Sequence, residues 1–141
     1  MKRWTSSSEE ETSQIGREIA ESIPEGALIY LSGDLGAGKT ALVRAIAEAL
    51  GCDPAEVASP SFALIHEYPR ENAAPVIHVD GYRMSDHPRE WLEIGIDEIL
   101  RGPGVKLVEW PKRQFDELAE TWGVIRVTVE EDETRVIELS R

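Results

Sequence analysis

Residues Gly33-Asp34-Leu35-Gly36-Ala37-Gly38-Lys39-Thr40 match the pattern G-x-x-x-x-G-K-[ST] at every fixed position. Before them lies an apolar run, Ala27 to Leu31 (ALIYL), and after them a strong helix former, Thr40 to Leu50. A strand that turns through glycines into a helix belongs in an open α/β sheet, where strand carboxyl ends border a ligand crevice. Gly33, Gly36 and Gly38 let the backbone take positive φ and approach an anion with no Cβ in the way. Successive N–H groups then form a concave nest, and the helix N-terminus adds partial positive charge. Lys39 is placed to reach β- and γ-phosphates and the Thr40 hydroxyl to ligate Mg²⁺. The spacing predicts a nucleoside triphosphate site over residues 33–40.

The rest of the chain supplies elements for such a fold. Ser8 to Ile23 carries Ile15, Ile19 and Ile23 at four-residue intervals, an apolar stripe on one helix face. Ser8 and Glu11 fit a capping box, and Pro24-Glu25-Gly26 ends the helix. Gly51 is placed to stop the second helix, and Asp53-Pro54 opens a short helical turn in the loop 52–60. Strands are expected at Phe62 to Tyr68, Val76 to Asp80 and Val105 to Glu109. Ser85 to Leu100 reads as a helix in two pieces broken near Gly95, and Gln114 to Trp122 as a further helix. Gly123 to Val129 and Thr134 to Leu139 read as a C-terminal hairpin. The expected fold is a three-layer, P-loop NTPase-like α/β sandwich with a mostly parallel central sheet and a C-terminal antiparallel hairpin. The 141 residues suit one domain spanning 1–141.

Composition narrows the partners. Fifteen Lys+Arg against 27 Asp+Glu give a net charge of −12, so the chain is a poor stand-alone nucleic-acid binder. No apolar run approaches the ~20 residues of a membrane span. MKRWTSSSEEE has no apolar region behind its two basic residues and predicts no secretory signal. With a single cysteine, Cys52, read as inert, a cytoplasmic location is expected.

A P-loop works with carboxylates near the metal, and two apolar strands end in one: VIHVD at Asp80 and VKLVE at Glu109. Strand carboxyl ends line the crevice, so both acids are candidate catalytic groups. Of the guanine-specific elements, DxxG does not occur in the sequence and none of the four lysines sits in an [NT]KxD context, which favours adenine. Arg83 reads as a salt-bridge partner of Asp80, His78 as a packed or hydrogen-bonded histidine, and Trp91 equally as core or interface.

GDLGAGKT at 33–40, SPSF at 59–62, HVDGYR at 78–83 and VEW at 108–110 together resemble the TsaE (YjeE) family, and LEIGIDEIL at 92–100 does so more weakly. These are P-loop ATPases needed for threonylcarbamoyladenosine (t6A) modification of tRNA. The resemblance implies ATP and Mg²⁺ as cofactors, with Gly33 through Thr40 on the nucleotide. Thr40 and Glu109 would stand in the metal shell, Asp80 would support hydrolysis, and Trp110 would lie beside the acids. Ser59, Pro60 and Ser61 would form a switch-like loop over the nucleotide, although family members commonly carry Thr where this chain has Ser61. The resemblance further implies TsaD and TsaB as partners, with tRNA reached only through that complex, and hydrolysis that is slow alone and faster in company. Which of Asp80 and Glu109 binds the metal stays open. The alternatives are a small-molecule P-loop kinase, for which 141 residues leave little room for a lid and acceptor pocket, and a nucleotide-gated adaptor with negligible turnover.

Overall fold

The computed structural model describes residues 1–34, 36–58 and 64–141. Leu35, Ser59, Pro60 and Ser61, assigned above to the site, lie outside the described residues, as do Phe62 and Ala63. Strands β1 (Lys2–Ser6), β2 (Leu28–Ser32), β3 (Ile65–Tyr68), β4 (Val76–Asp80), β5 (Lys106–Glu109), β6 (Gly123–Val129) and β7 (Arg135–Ser140) form one sheet. Its order is β1-β7-β6-β2-β5-β4-β3. The four central strands β6, β2, β5 and β4 run parallel, with β3 antiparallel at one edge and β7 and β1 antiparallel at the other. The parallel centre and C-terminal hairpin agree with the sequence reading; β1, pairing Lys2 to Ser6 with β7, was not anticipated. Its residues KRWTS carry two charges and no apolar alternation, as suits an edge strand.

Helices α1 (Glu9–Ser22), α2 (Lys39–Ala49), α3 (Pro54–Ala58), α4 (Pro88–Glu93) and α5 (Ile96–Arg101) fill the connections. Along β2, Ile29 and Leu31 pack into one core with Ile15, Ile19, Leu42 and Ile46 of α1 and α2. Leu28 and Tyr30, on the opposite face, pack with Trp91, Ile96 and Leu100 of α4 and α5. A strand covered on both faces needs apolar residues at every position, which is why ALIYL runs unbroken. Gly16 brings α1 close to α2, since a Cβ there would lie 2.7 Å from that of Ala45.

Local signals act as their chemistry requires, with two adjustments. Ser8 Oγ accepts the Glu11 N–H at 3.1 Å, but the Glu11 carboxylate reaches back to the Ser7 N–H, at 2.8 Å, rather than to that of Ser8. Gly51 and Gly95 both take positive φ and end their helical pieces as expected. The helix expected over Gln114 to Trp122 is instead a 3₁₀ turn, Arg113–Glu117. Only Phe115 of that turn is buried, and by Trp122 the chain already donates to the Leu28 carbonyl, extended for β6. Trp91 belongs to the core, edge-on to Phe115 at 5.4 Å, with its indole N–H on the Ser85 carbonyl. Cys52 is buried and its thiol is pushed up by desolvation, consistent with an inert cysteine. No described helix is long and apolar enough to cross a membrane.

At the amino edge of the sheet Lys106 is 1% exposed, its ammonium donating to the Gly26 and Gly102 carbonyls. Burial lowers its pKa from the ordinary lysine value. Between the folded value and the unfolded value near ~10.5 the unfolded chain binds more protons, so this residue makes stability rise with pH. Urea midpoints taken from neutral to alkaline pH will therefore climb more steeply for the wild type than for Lys106→Met. Parallel profiles would show that the buried ammonium carries no such penalty.

Candidate functional site

Strand register assembles the site. Leu31 of β2 pairs with Glu109 of β5, and Glu109 pairs with Asp80 of β4, so the three form one row at the carboxyl edge. Leu31 packs on the α1/α2 side, whereas Val108 and Val79 pack on the other. Alternation along each strand therefore turns Glu109 and Asp80 toward the side of α2. Ser32 ends β2 immediately beyond this row, and the loop Gly33 to Gly38 carries the chain up to Lys39, the first residue of α2.

Within the loop, Gly36 and Gly38 have φ of 82° and 94°, a conformation costly for residues with a Cβ. The Ala37 N–H is spent on the Asp34 carbonyl at 3.0 Å. No described residue takes the N–H groups of Gly38, Lys39 or Thr40, which are among the orphan donors that open a helix. These three residues help line a cavity of about 530 Å³, together with Gly36, Asp80 and Glu109, among others. Lys39 is 5% exposed; its ammonium donates to the Gly33 carbonyl at 2.6 Å and sits 3.9 Å from the centre of the Trp110 ring. Burial lowers its pKa, opposed by the charges of Glu109, Asp80 and Asp34.

The two acids are held differently. Asp80 caps the turn after β4, its Oδ1 accepting the Tyr82 N–H at 3.1 Å and its Oδ2 lying 3.3 Å from Arg83 Nε. That ion pair agrees with the reading of Arg83 from sequence. Glu109 Oε2 is 2.6 Å from His78 Nε2. Trp110 has φ of 52°, a left-handed conformation that an aromatic residue preceding proline rarely takes. Two neighbours brace it. The Tyr82 ring lies 5.4 Å away, and the Gly81 backbone is so close that a Cβ there would overlap the Trp110 carbonyl oxygen. Backbone strain of this kind is found where surrounding structure imposes it, often at functional sites.

A family profile described as "Threonylcarbamoyl adenosine biosynthesis protein TsaE" matches residues 6–137. The chain belongs to the TsaE family. It is 41% identical over 108 residues to the tRNA threonylcarbamoyladenosine biosynthesis protein TsaE of Bacillus subtilis, an alignment covering 77% of this chain and 65% of that protein. The protein of the same name from Synechocystis is 40% identical over 106 residues, covering 72% and 65%. The chain thus spans just under two-thirds of the length of these two relatives. The Treponema pallidum TsaE is 33% identical over 135 residues, covering 96% of this chain and 97% of that one. Among solved structures, Bacillus subtilis YdiB superposes with a TM-score of 0.75 at 32% identity, over 96% of this chain and 82% of that chain.

In this TsaE-family chain Gly36, Gly38, Lys39, Thr40, Asp80, Glu109 and Trp110 line one cavity, whereas the described candidates Gly33, Asp34 and Ala37 are not among its lining residues. Glu9, Ala41, Arg44, Tyr82 and Arg83 line it too, and of these only Arg83 drew notice in the sequence. From sequence His78 reads as a packed or hydrogen-bonded histidine, with no partner named. The signal was present: in HVD it sits two residues before Asp80, so it shares that face, diagonal to Glu109. Partners that orient a functional carboxylate typically matter about 10–100-fold. If the chain hydrolyses ATP, as proposed below, His78→Leu is accordingly expected to lower phosphate release about tenfold with little change in ATP affinity. Unchanged turnover in that variant would mean Glu109 needs no such support.

Proposed function

We propose that the chain binds ATP with Mg²⁺ through residues 33–40, hydrolyses it slowly alone, and serves t6A modification of tRNA in a complex with TsaD and TsaB. The observation that carries this reading is the convergence of unclaimed loop amides, Lys39, Thr40 and two register-paired acids on one cavity. The names of the relatives support the pathway, and the net charge of −12 favours a partner as the holder of tRNA.

Each group has a physical task. The amides of Gly38, Lys39 and Thr40 receive phosphate oxygens, and Lys39 neutralises charge on the transferred group. The Thr40 hydroxyl and Glu109 hold the metal, an all-oxygen set of the kind Mg²⁺ prefers. When bound, the metal supplies charge neutralisation at the phosphates. Asp80 orients the attacking water, and Trp110 covers Lys39 and limits solvent around it. Ser59, Pro60 and Ser61 are proposed as the loop over the nucleotide. One domain, 1–141, in the cytoplasm completes the proposal.

Calorimetry with MgATP, followed by product analysis with and without TsaD and TsaB, tests it. Binding with slow release of free phosphate that rises when the partners are added is the expected result. Transfer of the phosphoryl group to a small metabolite would establish a kinase instead. Partner binding with no turnover at all would leave a nucleotide-gated adaptor. No heat with any purine triphosphate, even with the partners present, would overturn the reading.

A further inference from the structure

The C-terminal hairpin reaches into the phosphate loop at one peptide. Arg135, the first residue of β7, donates from Nε to the Ala37 carbonyl oxygen at 2.9 Å, across 98 positions of sequence. The same side chain packs against Gly38, where a Cβ would lie 3.0 Å from Arg135 Nε and 3.3 Å from its Cδ. Gly38 is therefore bare for two reasons: its φ is positive, and its outer side belongs to an arginine.

Among the described residues no peptide bond is cis, and a trans peptide plane holds its C=O and N–H pointing in opposite directions. Drawing the Ala37 oxygen toward β7 thus aims the Gly38 N–H the other way. The cavity is lined by Gly36, Gly38, Lys39 and Thr40 and not by Ala37 or Arg135. Because the Ala37 N–H is already used inside the loop, the Gly38 N–H begins the row of donors that no described residue takes. A guanidinium on the back of the peptide also makes a charge-assisted hydrogen bond, stronger than a neutral one.

From this geometry we infer that Arg135 is a positioning residue of the nucleotide site. It locks the 37–38 peptide so that the Gly38 amide faces the anion before any ligand arrives. Arg135 itself stays behind the loop and touches no phosphate. The inference rests on the nucleotide-binding reading above and deepens it, by assigning pre-organisation of the nest to a residue outside every motif.

Titration of MgATP, and separately of pyrophosphate, into wild type, Arg135→Ala, Arg135→Gln and Arg126→Ala tests it. Arg126 is an exposed cation on the neighbouring strand and controls for loss of one positive charge on the hairpin. Both Arg135 variants are expected to bind each probe roughly 10- to 100-fold more weakly, and Arg126→Ala to stay within about twofold. Hydrogen exchange at the Gly38 amide should quicken in the Arg135 variants and not in the control. If the alanine variant does not fold, the glutamine variant decides. Binding within about twofold of wild type in either folded Arg135 variant, or an equal loss in Arg126→Ala, overturns the inference while the nucleotide reading stands. Absence of binding in the wild type overturns both.

Discussion

Asp80→Asn and Glu109→Gln are each expected, on the proposed ATPase reading, to cut hydrolysis by about 10²–10³-fold, with ATP affinity held within about threefold. Both substitutions keep shape and remove charge at the carboxyl edge, where the acids sit side by side in register. On the proposed reading neither carboxylate is needed to bind the triphosphate, because the amides of residues 38–40 and the Lys39 ammonium would carry that load. The pair also sorts the two roles. A metal ligand, once neutralised, leaves a turnover that partly recovers as Mg²⁺ is raised. A water-orienting acid leaves a turnover that no concentration of metal restores. The proposal expects the first behaviour from Glu109→Gln and the second from Asp80→Asn, read by phosphate release across a magnesium series. Wild-type turnover in both would remove the acids from the chemistry altogether.

Gly81→Ala is expected to be the most damaging single methyl group in the region. Its added Cβ would overlap the Trp110 carbonyl oxygen and stand 2.9 Å from that carbonyl carbon and 3.0 Å from the Glu109 oxygen. Every one of these is a backbone atom, so no flexible side chain can swing aside. Relief requires the ends of β4 and β5 to separate, which pulls Asp80 away from Glu109 and releases the strained Trp110. The cost is expected to be at least about 3 kcal/mol, the upper range of overpacking, with hydrolysis lost even in the fraction that stays folded. Chemical denaturation and phosphate release on the same preparation check this. A variant of near-native stability and activity would mean that the two strand ends are looser than their contacts indicate.

The parts of this molecule legible in sequence are those whose cause is local. The loop announces itself through Gly36 and Gly38, whose positive φ values suit few residues with a Cβ. The strands 28–32, 76–80 and 106–109 show as short apolar runs because both faces are covered. Gly95 marks its break because its φ of 79° suits few other residues. What escaped has distant causes. The strand Lys2–Ser6 exists because β7 offers it an edge, and nothing within KRWTS says so. The segment after Gln114 has helix-forming residues, yet it must deliver the chain to the side of β2, and that demand wins over propensity. In the site, Asp80 and Glu109 were found from their strand ends. The His78–Glu109 contact spans 31 positions and the Arg135–Ala37 contact 98, and only the folded sheet brings such residues together.

Lys39 is already occupied: a carbonyl on one side of its ammonium and an indole face on the other. Filling the cavity is consequently a trade of partners rather than a simple addition, and the net affinity is the gain left after two internal contacts are surrendered. A lone phosphate offers little to tip that exchange, whereas a chain of three, reaching several amides at once, offers much. On the proposed reading, the contacts Lys39 makes to the Gly33 carbonyl and the Trp110 ring therefore weigh against a single small anion and favour a polyphosphate.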